Sequence, residues 1–160
     1  MNVIQRIGIF TLFMSVALCQ APTTLVVQGV NGTSATLSLA DLSKLPQRTV
    51  RTIDHGTPVT FQGVLLADVL SNVALPTGDQ FHRTSASHYL LVEAQDGYRA
   101  VFAWAELDPT ITDKAVYVVT SRDGKPLSGK EGPFRLVAPG EKRAARWVWQ
   151  VTALRIRLAN

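Results

Sequence analysis

Glycine-centred turns cut this chain into short runs rich in β-branched residues, and that pattern leaves few folds open. Residues 24–30 (TLVVQGV) and 33–39 (TSATLSL) flank Asn31-Gly32, two residues that tolerate positive φ and so predict a hairpin. Residues 89–94 and 98–103 flank Gln95-Asp96-Gly97, a second hairpin signal. Residues 48–53 (RTVRTI), rich in β-branched threonine, valine and isoleucine, read as a half-buried strand until Asp54-His55-Gly56 breaks the run. Residues 58–62 (PVTFQ), 116–120 (VYVVT) and 134–138 predict further strands, and 122–126 (RDGKP) predicts a turn. Residues 147–158 (WVWQVTALRIRL) alternate well enough for one long terminal strand.

Helical signals are few and short. Residues 40–45 (ADLSKL) allow one or two turns before Pro46 stops them. Residues 65–73 (LLADVLSNV) place apolar side chains at 65, 66, 69, 70 and 73, which is helical spacing. Residues 104–107 predict a helical turn before Asp108-Pro109, and 76–87 read as a polar loop. Strands and helices do not alternate regularly, so the pattern points to an α+β fold, a β-rich mixed sheet with a few short helices, rather than a doubly wound one.

The first residues stand apart. Arg6 precedes the apolar run 7–18, and small residues follow near Ala21, the layout of a secretory signal peptide. The run is shorter than the about 20 apolar residues a membrane-spanning helix needs. Residues 1–19 are expected to be removed and 24–158 to form one domain, exported to the periplasm or outside the cell. A lipid anchor on Cys19 is the lesser expectation, because bulky Leu18 precedes it. Cys19 is the only cysteine, so cleavage after it leaves no thiol for disulfides or thiolate metal ligation. With 46% hydrophobic and 18% charged residues the rest can bury a core. A net charge of +4, scattered until residue 142, gives no basic tail for nucleic acid, and no second apolar run approaches membrane-spanning length.

Several chemistries lack their residues. G-x-S-x-G, G-x-G-x-x-G and Walker-type loops do not occur. His82 and His88, six apart, match no standard metal-ligand spacing. Asp54-His55 sits where two strands break, and the favoured reading is a surface turn in which Asp54 caps nearby N–H groups, ahead of a metal site. Residues 131–147 (EGPFRLVAPGEKRAARW) concentrate Arg135, Lys142, Arg143 and Arg146 around Pro139-Gly140. Guanidinium groups there could grip a phosphate, sulfate or carboxylate. The competing reading, favoured by composition alone, is a solvated basic loop pairing locally with Glu131 and Glu141. Trp147 and Trp149, two apart on the predicted strand, should share a face and pack in the core.

Taken in order, these segments resemble the molybdopterin-binding domain of the sulfite oxidase family over nearly all of residues 25–158. The resemblance rests on Gly63-Val64-Leu65-Leu66 with Asp68-Val69-Leu70, on Asp96-Gly97-Tyr98, and on Gly132-Pro133-Phe134-Arg135 with Pro139-Gly140. It implies a mixed α+β domain. Enzymes of that family hold molybdenum by a pterin dithiolene and one cysteine, in the loop after the strand matching residues 48–53. Here that loop reads Asp54-His55-Gly56, and neither aspartate nor imidazole reproduces a soft thiolate.

The resemblance therefore implies binding more than oxygen-atom transfer, and no catalytic residue or metal ligand is assigned. Arg135, with Arg143 and Arg146 behind it, is expected to bind an anion, with Asp54 and His55 at the vacated metal-ligand loop. The first expectation is an exported, non-catalytic protein that binds an anionic small molecule or a protein partner and holds no cofactor. The alternatives are a molybdopterin-dependent oxidoreductase with non-cysteine ligation and a structural or docking module of the cell envelope.

Overall fold

The computed structural model describes residues 23–71, 73, 83 and 85–159. The predicted signal peptide, Cys19 and His82 lie outside the described residues. Among the described residues, ten strands form two sheets. The first has β1 (Thr24–Gln28), β2 (Ser34–Ser38), β5 (His88–Ala94), β6 (Arg99–Ala103) and β10 (Val151–Leu158), in the order β2-β1-β10-β5-β6. The second has β3 (Gln47–Asp54), β4 (Thr57–Leu65), β7 (Tyr117–Arg122) and β8 (Lys125–Pro126) in sequence order. Its fifth strand, β9 (Arg135–Val137), also pairs with β7. All pairings are antiparallel except β1 with β10, which is parallel with Val26 opposite Ala153. This is the expected α+β, β-rich architecture.

The turns follow from residues that accept positive φ. β3 and β4 are joined by His55 (φ 48°) and Gly56 (φ 83°) alone, with Asp54 opposite Thr57. Asp123 (φ 49°) and Gly124 (φ 76°) join β7 to β8 in the same way. Two left-handed residues in succession make the tight turn whose twist matches paired strands. The break expected at Asp54-His55-Gly56 is thus a hairpin, and β4 begins at Thr57, directly after it. Between β5 and β6 the backbone N–H of Ala94 bonds the Tyr98 carbonyl at 2.9 Å, leaving Gln95-Asp96-Gly97 as the turn, as expected.

Helices are confined to short pieces. α1 (Leu39–Ser43) starts at Ser38, whose hydroxyl accepts from the Asp41 N–H while Asp41 accepts from the Ser38 N–H. Hydrogen bonds from Ser38 and Lys44 hold the Asp41 carboxyl far below the usual carboxylate range. α2 (Leu66–Leu70) buries Leu66, Val69 and Leu70, the i, i+3, i+4 stripe read from the sequence, but it stops at Ser71. The long terminal strand also proves shorter than expected: Gln150 adopts φ 46°, and β10 begins only at Val151.

One hydrophobic core draws on both sheets, with Leu25, Leu90 and Leu154 from the first and Phe61, Val118 and Leu136 from the second. β4 is central to the second sheet, and its pairing with β7 shifts register between Gln62 and Gly63. A Cβ on Gly63 would meet the Val118 carbonyl oxygen and lie 2.5 Å from the Val119 Cα. Both are backbone atoms of a paired strand and cannot step aside. Gly63→Ala is expected to lower stability by about 1–3 kcal/mol, the usual cost of overpacking, measured by urea denaturation. An unchanged midpoint would show that the β4–β7 ladder yields where this packing says it cannot.

Candidate functional site

The most unusual burial in the molecule is a charge. Arg135, at the start of β9, is fully buried and is the largest of the fully buried side chains. Its guanidinium forks onto Asp54 at the end of β3, with Nη1 3.0 Å from Oδ2 and Nη2 3.1 Å from Oδ1. Nη1 also donates to Glu131 at 2.7 Å. Arg122, at the end of β7, donates to both carboxylates at 3.1 Å. Two arginines thus meet the Asp54 and Glu131 carboxylates, with Asp123 at the rim 3.7 Å from the Arg122 Nε.

Aromatic rings enclose the buried guanidinium. Its Cζ lies 5.0 Å from the Phe61 centroid, 5.7 Å from Trp147 and 5.4 Å from Trp149. Negative ring faces add to the ion pairing where water is excluded. The Arg135 Nε is buried and has no hydrogen-bond partner among the described residues. The two tryptophans lie on irregular chain before β10 rather than on a strand, yet both face Arg135, so their expected common side is kept.

These contacts revise two expectations. Arg135 was expected to grip an anion, but its fork is filled by Asp54 and Glu131 and no part of it reaches solvent. Asp54 was read as capping a surface turn; instead it is buried, because its alternation along β3 turns it inward toward Arg135. Sequence spacing linked neither residue to the other, since they are 81 positions apart.

A cleft of about 850 Å³ opens beside this cluster. The hairpin turn supplies Thr52, Ile53, His55 and Gly56 on one wall, and the segment around Lys142 and Arg143 supplies the other. The positive φ at His55 leaves its side chain 71% exposed, with Nε2 3.7 Å from the Asp54 Oδ1. His55 is therefore the link between cleft and buried cluster. Lys142 and Arg143 are exposed, and neither forms an ion pair among the described residues. The cleft thus gathers two cationic side chains with no ion-pair partner among the described residues, the His55 imidazole, and the Glu141 carboxylate, which Arg146 holds.

Arg146, expected beside Arg143, is committed elsewhere. It donates to Glu106 at 2.8 and 3.1 Å, to Glu141 through Nε at 2.7 Å, and to the Val101 carbonyl at 3.0 Å. Its guanidinium carbon lies 4.1 Å from the Phe102 centroid. Local pairing with Glu131 and Glu141, the competing reading of the basic segment, therefore describes Arg135 and Arg146. Lys142 and Arg143 are what remains for a ligand. Sequence reasoning did not single out Arg122 or Glu106, whose roles depend on strands far away in the chain.

The Arg146 pairing has a pH signature. The hydrogen bond from Arg146 holds the Glu106 carboxyl below its ordinary value of about 4.5, and the same pairing raises the Arg146 guanidinium. A carboxylate depressed in the folded state adds stability that is complete above its unfolded value and is lost as pH falls through the folded one. Glu106→Gln is expected to be less stable than the wild type near neutral pH. That difference should shrink below about pH 4.5, as read by thermal unfolding across pH. A difference independent of pH would mean that the ion pair contributes nothing.

No family model matches the chain, and no curated protein matches its sequence. Among solved structures it is similar to the sulfane dehydrogenase SoxCD from Paracoccus pantotrophus. The two share 18% identity with a TM-score of 0.65 over 88% of this chain. The fold is sulfite oxidase-like. The chain spans 39% of the SoxCD chain, so the likeness concerns architecture.

At Asp54-His55-Gly56, the loop that the sequence resemblance sets against the family's metal-ligand cysteine, the donors present are a carboxylate and an imidazole rather than a soft thiolate. The Asp54 carboxylate is occupied by Arg135 and Arg122, which leaves His55 alone at the turn. No group of three His, Cys, Asp or Glu side chains able to hold a metal exists among the described residues. Among those residues, too, no helix is long and apolar enough to cross a membrane.

Proposed function

We propose that this protein is an exported anion-binding protein with a sulfite oxidase-like fold, working without the molybdenum reaction of the enzymes it resembles. One observation carries the reading: Lys142 and Arg143, unpaired among the described residues, face His55 across a single cleft. Small-molecule sites are concave and place a few polar groups convergently, and this cleft has that character. A planar guanidinium and an ammonium suit a tetrahedral or planar oxyanion such as phosphate, sulfate or a carboxylate. Arg135 serves the site from behind, since it fixes Asp54 and so the turn that presents His55.

The oxidoreductase reading, with molybdopterin held by other ligands, draws on the fold likeness alone. The envelope-docking reading draws on exposed apolar residues such as Leu39, Ile53, Ile111 and Leu158, which sit on separate elements. The test is calorimetric titration of the purified protein with inorganic phosphate and sulfate, with its molybdenum content measured on the same sample. Saturable binding that weakens with added salt supports the reading. Stoichiometric molybdenum with turnover would overturn it in favour of the oxidoreductase.

A further inference from the structure

We propose that the ligand of this cleft is an aryl anion, whose charged group meets Lys142 and Arg143 while its ring enters a neighbouring aromatic hollow. The proposal rests on the anion-binding reading and adds the chemical class of the ligand. The hollow measures about 220 Å³ and shares Ala144, Ala145 and Trp147 with the cleft as common walls. Its remaining lining is Asp96, Tyr98 and Trp149. The two spaces adjoin at these three residues, so one molecule can span them.

The rings are set in place without a ligand. The Tyr98 hydroxyl donates to the Ala145 carbonyl at 2.5 Å, which holds a half-exposed phenol beside the divide. Trp149 lies 5.4 Å from the buried Arg135 guanidinium and 5.5 Å from the Lys130 ammonium. Aromatic surface already immobilised binds a flat ring at a smaller entropic cost. Tyr98 and Trp149 come from different elements, the β5–β6 turn and the approach to β10, yet they line one hollow.

Charge sets the direction of the ligand. Lys142 and Arg143 lie in the cleft, where the Glu141 carboxylate is held by Arg146, whereas Asp96 lies in the hollow, one of its oxygens accepting from the Tyr98 N–H at 2.9 Å; Lys130 sits over Trp149 without lining the hollow. A second negative group at that end would meet the Asp96 carboxylate. A neutral ring, or one bearing an N–H or O–H donor, would not.

Calorimetry at fixed ionic strength with inorganic phosphate, phenyl phosphate and 4-carboxyphenyl phosphate tests this directly, with tryptophan fluorescence as a second readout. Phenyl phosphate is expected to bind about tenfold more tightly than inorganic phosphate, equivalent to about 1.4 kcal/mol. The 4-carboxyphenyl compound is expected to lose that advantage and Asp96→Asn to restore it. Tyr98→Ala and Trp149→Ala should each bring the phenyl-to-inorganic ratio toward one. Tyr98 is half exposed, so its variant still tests the ring contact even if loss of Trp149 disturbs the Arg135 cluster. Equal affinity for phenyl and inorganic phosphate, with phosphate binding intact, overturns the aryl assignment and leaves the anion site standing. Binding of neither overturns both.

Discussion

Arg135→Ala is expected to destabilise the protein by roughly 3–5 kcal/mol, the usual cost of removing one partner from a buried ion pair. The loss arises mainly from what is left behind. Asp54, with its side chain 2% exposed, would be left buried beside Glu131 with Arg122 as its remaining arginine partner. The enclosing faces of Phe61, Trp147 and Trp149 would also lose the guanidinium between them. Arg135→Lys restores charge but not the fork, because an ammonium is a point donor and cannot match both Asp54 oxygens in plane. It should recover only part of the stability. The double variant Asp54→Leu with Arg135→Met should be less damaged than the sum of the single variants, since it removes both buried charges together. Urea denaturation of the single and double variants reads this coupling. Additive losses, or a single-variant cost below about 1 kcal/mol, would show that the pair does not tie β3 to β9.

Removing both Lys142 and Arg143 is expected to weaken binding of inorganic phosphate by about tenfold or more while leaving the unfolding free energy within about 0.5 kcal/mol of the wild type. Hydrogen bonds to charged groups contribute about 1.5–3 kcal/mol where water is excluded, and solvent at the exposed cleft reduces that. Stability should hold because neither side chain has an internal ion pair among the described residues. The contrast with Arg135 separates the two parts of the basic segment: its buried arginine holds the fold, and its exposed cations hold the ligand. Calorimetric titration beside thermal unfolding checks both halves. A variant that loses stability but not phosphate affinity would reverse the assignment.

Much of the architecture was legible in the chain because the signals are local. The Asn31-Gly32 and Asp96-Gly97 turns and the stripe of Leu66, Val69 and Leu70 depend on neighbours in sequence. The start of the last strand was not legible: the apolar run Trp147-Val148-Trp149 reads on into the strand, but Gln150 turns left-handed where the chain packs against Arg135. The site divided along the same line. The sequence grouped Arg135, Arg143 and Arg146 because they are close in the chain, yet their environments differ in everything that decides function. Glu131 and Asp54 claim Arg135, Glu106 and Glu141 claim Arg146, and Arg143 stays exposed. Glu106 and Asp54 lie 40 and 81 residues from their arginines, a separation that no local pattern encodes. His55 faces the cleft because a two-residue hairpin leaves it there, and that hairpin became visible only when the Asp54–Thr57 register was.

The most direct test is a phosphate titration followed by nuclear magnetic resonance on protein verified to be free of molybdenum. Signals of His55, Gly56, Lys142 and Arg143 should shift together along one saturating curve, while those of the buried Arg135 guanidinium stay nearly fixed. Shifts confined to other surfaces, or none at all at millimolar phosphate, would contradict an anion site at this cleft.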